Sequence, residues 1–140
     1  MRIIVYVILG IYIAVLSIED ILKKSIPVLL LAAGILFIPA GLLTEGAECF
    51  SPADNILGVI PGAVLLIISF VSRGQIGIGD GVLVAITGAS LGLEAVVRIL
   101  TAALILIMLF SGGMLVFGKF KRKSTLPFIP FIFAGYLLSF

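Results

Sequence analysis

Histidine and tryptophan are absent from this 140-residue sequence, cysteine occurs once, and only 11% of residues are charged. Each scarcity excludes something. A single Cys49 forbids an intramolecular disulfide, and with no histidine a zinc or haem site has almost no ligands to draw on. Cys49 reads as a small apolar filler near a membrane edge. A soluble surface needs roughly 25–35% charged residues, so the charge shortfall points to lipid as the solvent.

What is present agrees. Hydrophobic residues make up 62% of the chain and the mean hydropathy is +1.41, which excludes disorder. One span takes about 20 apolar residues, so the chain holds at most six or seven spans with short connections and no separate soluble domain. Apolar runs broken by charge, proline and glycine predict an all-α integral membrane protein, one domain over residues 1–140. Its six helices fall at Ile3–Ile18, Pro27–Leu43, Asn55–Val71, Gly81–Leu93, Ala95–Gly118 and Leu126–Phe140. The fourth run is short, and Glu94 and Arg98 mark the corner after it; a five-span arrangement with a re-entrant fourth segment fits the same pattern. The first run is too long for the apolar part of a signal peptide and lacks a small-residue cleavage site before Glu19.

If alternate connections share a side, the Lys23–Lys24 turn, the Arg73 loop and the Lys119–Lys123 loop hold seven of the nine basic residues on one face. The positive-inside rule makes that face cytoplasmic, with both termini and the segment Thr44–Asp54 outside. Of seven carboxylates, Glu45, Glu48, Asp54 and Glu94 then lie outside, and Glu19, Asp20 and Asp80 lie at cytoplasmic helix ends. None falls at the midplane, where an ion-coupled transporter places its ionisable groups. Gly58–Gly62 and Gly88–Gly92 have GxxxG spacing, which lets helix backbones approach within the chain. Pro39, Pro61 and Pro130 are expected to kink or interrupt their helices.

Asp20 and Asp80 stand out. Each adjoins an apolar run on the same face, and Asp80 sits in Gly77-Ile78-Gly79-Asp80-Gly81, where three glycines remove the side chains that would hold another helix away. Two carboxylates about 3 Å apart cannot both ionise, so one keeps a proton. The ionised member can take a proton from water while the other polarises a carbonyl, which suits peptide hydrolysis without metal, cofactor or nucleophilic serine. A purely structural role is also open: Asp80 can cap the fourth helix, and Asp20 can mark the end of a span.

These residues resemble those of the type IV prepilin peptidases, membrane aspartyl proteases of the GxGD type. Asp20 precedes Ile26-Pro27 with Lys24 just before them, as in that family's first catalytic motif. Gly77-Ile78-Gly79-Asp80 is the GxGD motif itself, and Leu126-Pro127-Phe128-Ile129-Pro130-Phe131 resembles the Pro-Phe-rich start of the last span. The resemblance covers essentially the whole chain. It implies a GxGD-type fold of several transmembrane helices, with Asp20 and Asp80 as the catalytic pair at the cytoplasmic face. Gly77 and Gly79 would permit close approach, and Lys24, Ile26 and Pro27 would be supporting motif residues.

The resemblance further implies a prepilin or pilin-like substrate, cut where a short basic leader meets a hydrophobic helix, commonly after glycine. No cofactor, metal or nucleic acid partner is implied, and membrane lipid is the surroundings. Two positions depart from the family pattern: Val28 stands where an asparagine is frequent, and Val82 where a lysine is. With one cysteine and no cysteine-rich insertion, the chain resembles the short peptidase-only forms rather than those that also methylate the pilin. Two other function classes compete: a non-catalytic scaffold that binds pilin-like proteins, and a small transporter, which the missing midplane charge disfavours.

Overall fold

The structure, a computed structural model, describes residues 2–23, 27–36, 38–39, 52–72, 77–118 and 127–139. Cys49, Glu45, Glu48, Arg73 and the basic stretch 119–123 lie outside these, as do Lys24 and Ile26. Among the described residues are six α-helices and no strand: α1 (Arg2–Lys23), α2 (Val28–Gly34), α3 (Pro52–Val71), α4 (Ile78–Leu91), α5 (Leu93–Val116) and α6 (Ile129–Ser139).

Among the described residues, two helices are long and apolar enough to cross a membrane, Ala53–Val71 within α3 and Leu93–Val116. Neither is a core helix, since only 22% and 11% of their most apolar stretches are buried in the bundle. Along α5, Leu104, Met108, Leu109, Leu115 and Val116 all face outward. A helix that is apolar on its exposed side is matched to lipid rather than water. Two further apolar helices are shorter. α4 has 14 residues and α6 has 11, and a 14-residue helix rises about 21 Å against about 30 Å of hydrocarbon.

Consecutive long helices run up and down. Gly58, Gly62 and Leu66 of α3 meet Gly88, Ala85 and Gly81 of α4 in turn, so these two helices are antiparallel. The two GxxxG segments are thus one contact. A Cβ at Gly88 would collide with the Gly58 carbonyl, and one at Gly58 with the Gly88 carbonyl. In lipid, where apolar burial gives no drive for association, such backbone proximity is what holds helices together. Likewise Gly135 of α6 lies against Ile99 and Ala103 of α5, and Phe131 packs against Phe110 in a tilted arrangement with centroids 5.6 Å apart.

Two tyrosines tie the first helix in. The Tyr12 hydroxyl donates to the Leu30 carbonyl of α2 (2.8 Å), and the Tyr136 hydroxyl of α6 donates to the Tyr6 carbonyl of α1 (2.8 Å). Beneath them Leu9, Ile13, Leu16, Leu83, Ile99, Ile129 and Ile132 form one fully buried cluster drawn from α1, α4, α5 and α6.

Three details differ from the sequence expectation. The corner between the fourth and fifth helices is at Gly92, not at Glu94 and Arg98. Gly92 adopts φ +84°, a left-handed conformation open to glycine, and Glu94 falls in the first turn of α5, where an acid suits the helix dipole. Pro61 does not interrupt α3, which runs through it. The second helix leaves α-geometry after Gly34: Ile35 and Leu36 bond back to Ala32 and Ala33, a tighter three-residue spacing.

The glycine contact makes a direct prediction. Gly88→Leu should destabilise the folded protein in detergent by at least about 2 kcal/mol, because the displaced atoms are backbone. Gly112→Leu, at a site with nothing within 4 Å, should move the thermal midpoint little.

Candidate active site

The up-and-down order brings the C-terminal ends of α1, α3 and α5 and the N-termini of α2, α4 and α6 to one end of the bundle. Asp20, in the last turn of α1, and Asp80, in the first turn of α4, are both there. They lie just past the apolar runs 3–18 and 81–93, at a level where Glu19, the residue before Asp20, forms an ion pair of 3.0 Å with Lys23 one turn further along α1. Leu16 lies one turn below Asp20, Leu83 and Val84 one turn below Asp80, and all three are in the buried cluster. The aspartates therefore sit on the rim of the apolar core.

Asp80 is buried, with 8% exposure. Its helix starts at Gly77, in ordinary extended geometry (φ −63°, ψ 131°), and the Asp80 amide bonds the Gly77 carbonyl at 3.1 Å. From the third helical position its carboxylate turns back to the Gly77 N–H, as acids in capping boxes do. A Cβ on Gly77 would stand 3.2 Å from Asp80 Oδ2, so glycine here leaves room for this carboxylate. The approach of a neighbouring helix occurs instead at Gly81, where a Cβ would strike Leu66 of α3. Gly79 is the partly exposed residue just before Asp80.

Burial pushes the Asp80 carboxyl up to about 7, the charge of Asp20 adds to the rise, and the Gly77 N–H acts against it. The two aspartates, 60 positions apart in sequence, are thus electrostatically coupled. Asp20 is only partly buried; burial raises its pKa as well, while a backbone N–H from Ile129 lowers it. Asp20 Oδ2 is buried and has no hydrogen-bond partner among the described residues. Such an arrangement can share one proton and offer one carboxylate and one carboxylic acid to a bound water.

Glu19, the neighbouring acid, is engaged by Lys23. Pro27 is exposed and caps α2, its carbonyl accepting the Leu30 amide at 2.9 Å, and Val28 is the exposed first residue of that helix. Val82 is partly buried in α4. Among the described residues no group of three or more acids or cysteines is placed to hold a metal. The contribution that side-chain reasoning missed is Ile129, which acts through its backbone. The prolines at 127 and 130, which flag a helix start, were the signal available for it.

A curated relative, the prepilin leader peptidase/N-methyltransferase of Bacillus subtilis (strain 168), is 29% identical over 111 residues, covering 76% of this chain and 44% of the relative. The chain thus spans less than half the length of the relative it matches. No protein-family model matches the chain, and neither does any solved structure.

The raised Asp80 carboxyl links stability to pH. Between the ordinary aspartate value of 3.8 and about 7, the unfolded chain has lost this proton while the folded one keeps it. Because the folded state binds the extra proton, its stability falls as pH rises through that window. The thermal midpoint in detergent should therefore decline from about pH 4 to about pH 7 in the wild type and decline less in Asp80→Asn, which cannot ionise. Equal slopes would contradict a buried proton at Asp80.

Proposed function

We propose that the protein is a membrane aspartyl endopeptidase of the prepilin peptidase type, which removes the short basic leader from prepilins or pilin-like precursors. The observation that carries this is the placement of Asp20 and Asp80 at one end of the bundle, on the edge of the apolar core, where burial pushes the Asp80 carboxyl up to about 7. The similarity to a prepilin leader peptidase supports the same substrate class, and the outward-facing apolar helices support a membrane setting. In this account the helices form a single multi-pass peptidase unit of six membrane segments. α4 and α6 cross only in part or through a locally thinned layer. The aspartate end faces the cytoplasm and both termini lie outside.

The reaction follows from the pair. Water between the carboxyls loses a proton to the ionised aspartate as its oxygen bonds to the scissile carbonyl carbon. The protonated aspartate gives its proton to the carbonyl oxygen, so the tetrahedral intermediate is neutral. The C–N bond then breaks as the newly protonated aspartate passes its proton to the leaving amine, and the other aspartate recovers a proton from the intermediate's hydroxyl. A cut at the junction of leader and apolar helix places the bond at the level of these residues, within reach of water. Only the cleavage step is proposed. Lys24, Ile26 and Pro27 are proposed to shape the segment that follows Asp20, and Gly77 and Gly79 to leave space around Asp80.

Asp20→Asn and Asp80→Asn should each lower cleavage of a co-expressed prepilin by about 10³-fold or more while the protein still accumulates in the membrane. Processing retained in either variant would remove that residue from the mechanism. Pilin binding without cleavage by the wild type would favour a scaffold.

A further inference from the structure

Both members of the pair are closed off in this structure. Asp80 is 8% exposed and Asp20 Oδ2 is buried, so a peptide bond reaches them only if something moves aside. The apolar helix of a pilin-type substrate stays in lipid, and the bond at its end therefore approaches from the side of the bundle.

The helices differ in what holds them. α1, α4, α5 and α6 each put fully buried aliphatic side chains into the shared cluster, Leu16, Leu83, Ile99 and Ile129 among them. α3 is locked to α4 by the glycine seam, where backbone meets backbone. Among the described residues α2 has neither kind of anchor. Of Val28–Gly34 only Gly34 is buried, Leu30 packs on the edge of the cluster, and Val28 and Leu29 face outward.

α2 also lies where an entrance is needed. Gly34 fits between the Tyr12 hydroxyl of α1 and Ile86 of α4, so closely that a Cβ there would collide with the hydroxyl and press on Ile86. Val28 is six positions before Gly34 and Asp80 six before Ile86, a rise of about 9 Å toward the aspartate end on each helix. Asp20 is eight positions past Tyr12 in the same direction, about 12 Å. The first turn of α2 thus flanks the pair, beside the junction of α1 and α4.

In lipid, moving α2 away costs little apolar burial. Its side chains, and Tyr12 and Ile86 behind it, exchange one apolar surrounding for another. The directional tie is the hydrogen bond from the Tyr12 hydroxyl to the Leu30 carbonyl at 2.8 Å. After Gly34 the backbone tightens to three-residue spacing at Ile35 and Leu36, where hydrogen-bond geometry is poorer.

We propose that α2 is a lateral gate to the aspartate pair, displaced by the pilin segment that carries the scissile bond, and that the Tyr12 hydroxyl is its latch. The proposal rests on the peptidase reading for the identity of the substrate and on the weak anchorage of α2 for the gate. Tyr12 is a positioning residue: it acts through α2 and takes no part in the proton transfers.

Tyr12→Phe keeps the ring and removes only the hydroxyl. If the closed form excludes substrate, apparent affinity scales with the open fraction. Weakening the latch should then raise kcat/KM for prepilin cleavage, by about threefold for one interhelical hydrogen bond in a membrane. A hydroxyl that served only to hold the fold would give the opposite sign, so an unchanged or lowered kcat/KM would overturn the latch.

Spin labels at Leu29 on α2 and Phe70 on α3, both exposed, report the gate without turnover in a Cys49→Ser background. Double electron–electron resonance in lipid should show a second distance population. Tyr12→Phe should enlarge it, and a prepilin peptide with an uncleavable hydroxyethylene group should make it dominant. A distance unchanged by the variant would overturn the latch, and one unchanged by bound peptide would overturn the gate. A wild type that neither binds the peptide nor cleaves prepilin, while Tyr12→Phe still enlarges the second population, would count against the peptidase reading and leave the latch standing.

Discussion

Two carboxyl groups on the rim of an apolar bundle, close enough for one charge to oppose the other, set the terms for the rest of this structure. Lipid around the helices and packed aliphatic side chains beneath leave little water to screen that repulsion, so a proton is retained where an exposed aspartate would have lost it. The architecture keeps the pair together against its own repulsion. Asp20 and Asp80 lie on different helices. Their separation is fixed through α6, which packs on α1, and through the aliphatic cluster shared by α1, α4, α5 and α6.

The glycine seam between α3 and α4 and the tyrosine bonds serve the same end. Gly58 against Gly88 and Gly62 against Ala85 bring two backbones together along most of α4. That contact fixes the helix whose first turn presents Asp80. At the other side Tyr12 and Tyr136 each reach from one helix to a carbonyl of another, so the height of α1 relative to α2 and α6 is set by hydrogen bonds rather than by apolar contact alone. In a membrane, where one apolar surface is as good as another, such directional contacts carry positional information.

Much of this was legible in the sequence because so few residues are polar. The apolar runs located the helices, the GxxxG spacings located the tightest seam, and the scarce acids singled out Asp20 and Asp80. What escaped was backbone information. The corner at Gly92 is a matter of φ, whereas the charges at Glu94 and Arg98 only decorate the helix that follows. The shortness of α2 depends on geometry after Gly34, where composition stays apolar. Pro61 was expected to kink or interrupt its helix, and α3 runs through it without interruption. The backbone N–H groups that lower the carboxyls of Asp20 and Asp80, those of Ile129 and Gly77, have no side-chain signature, because any residue but proline would supply them.

The central claim is that Asp20 and Asp80 act on one water and one scissile bond. A structure of the protein bound to a prepilin peptide with a hydroxyethylene group in place of that bond tests it most directly. The account predicts the central hydroxyl oxygen within hydrogen-bonding distance of both carboxyls, about 2.5–3.0 Å from an oxygen of each. A hydroxyl that contacts neither aspartate, or only one with the other turned away, would contradict it.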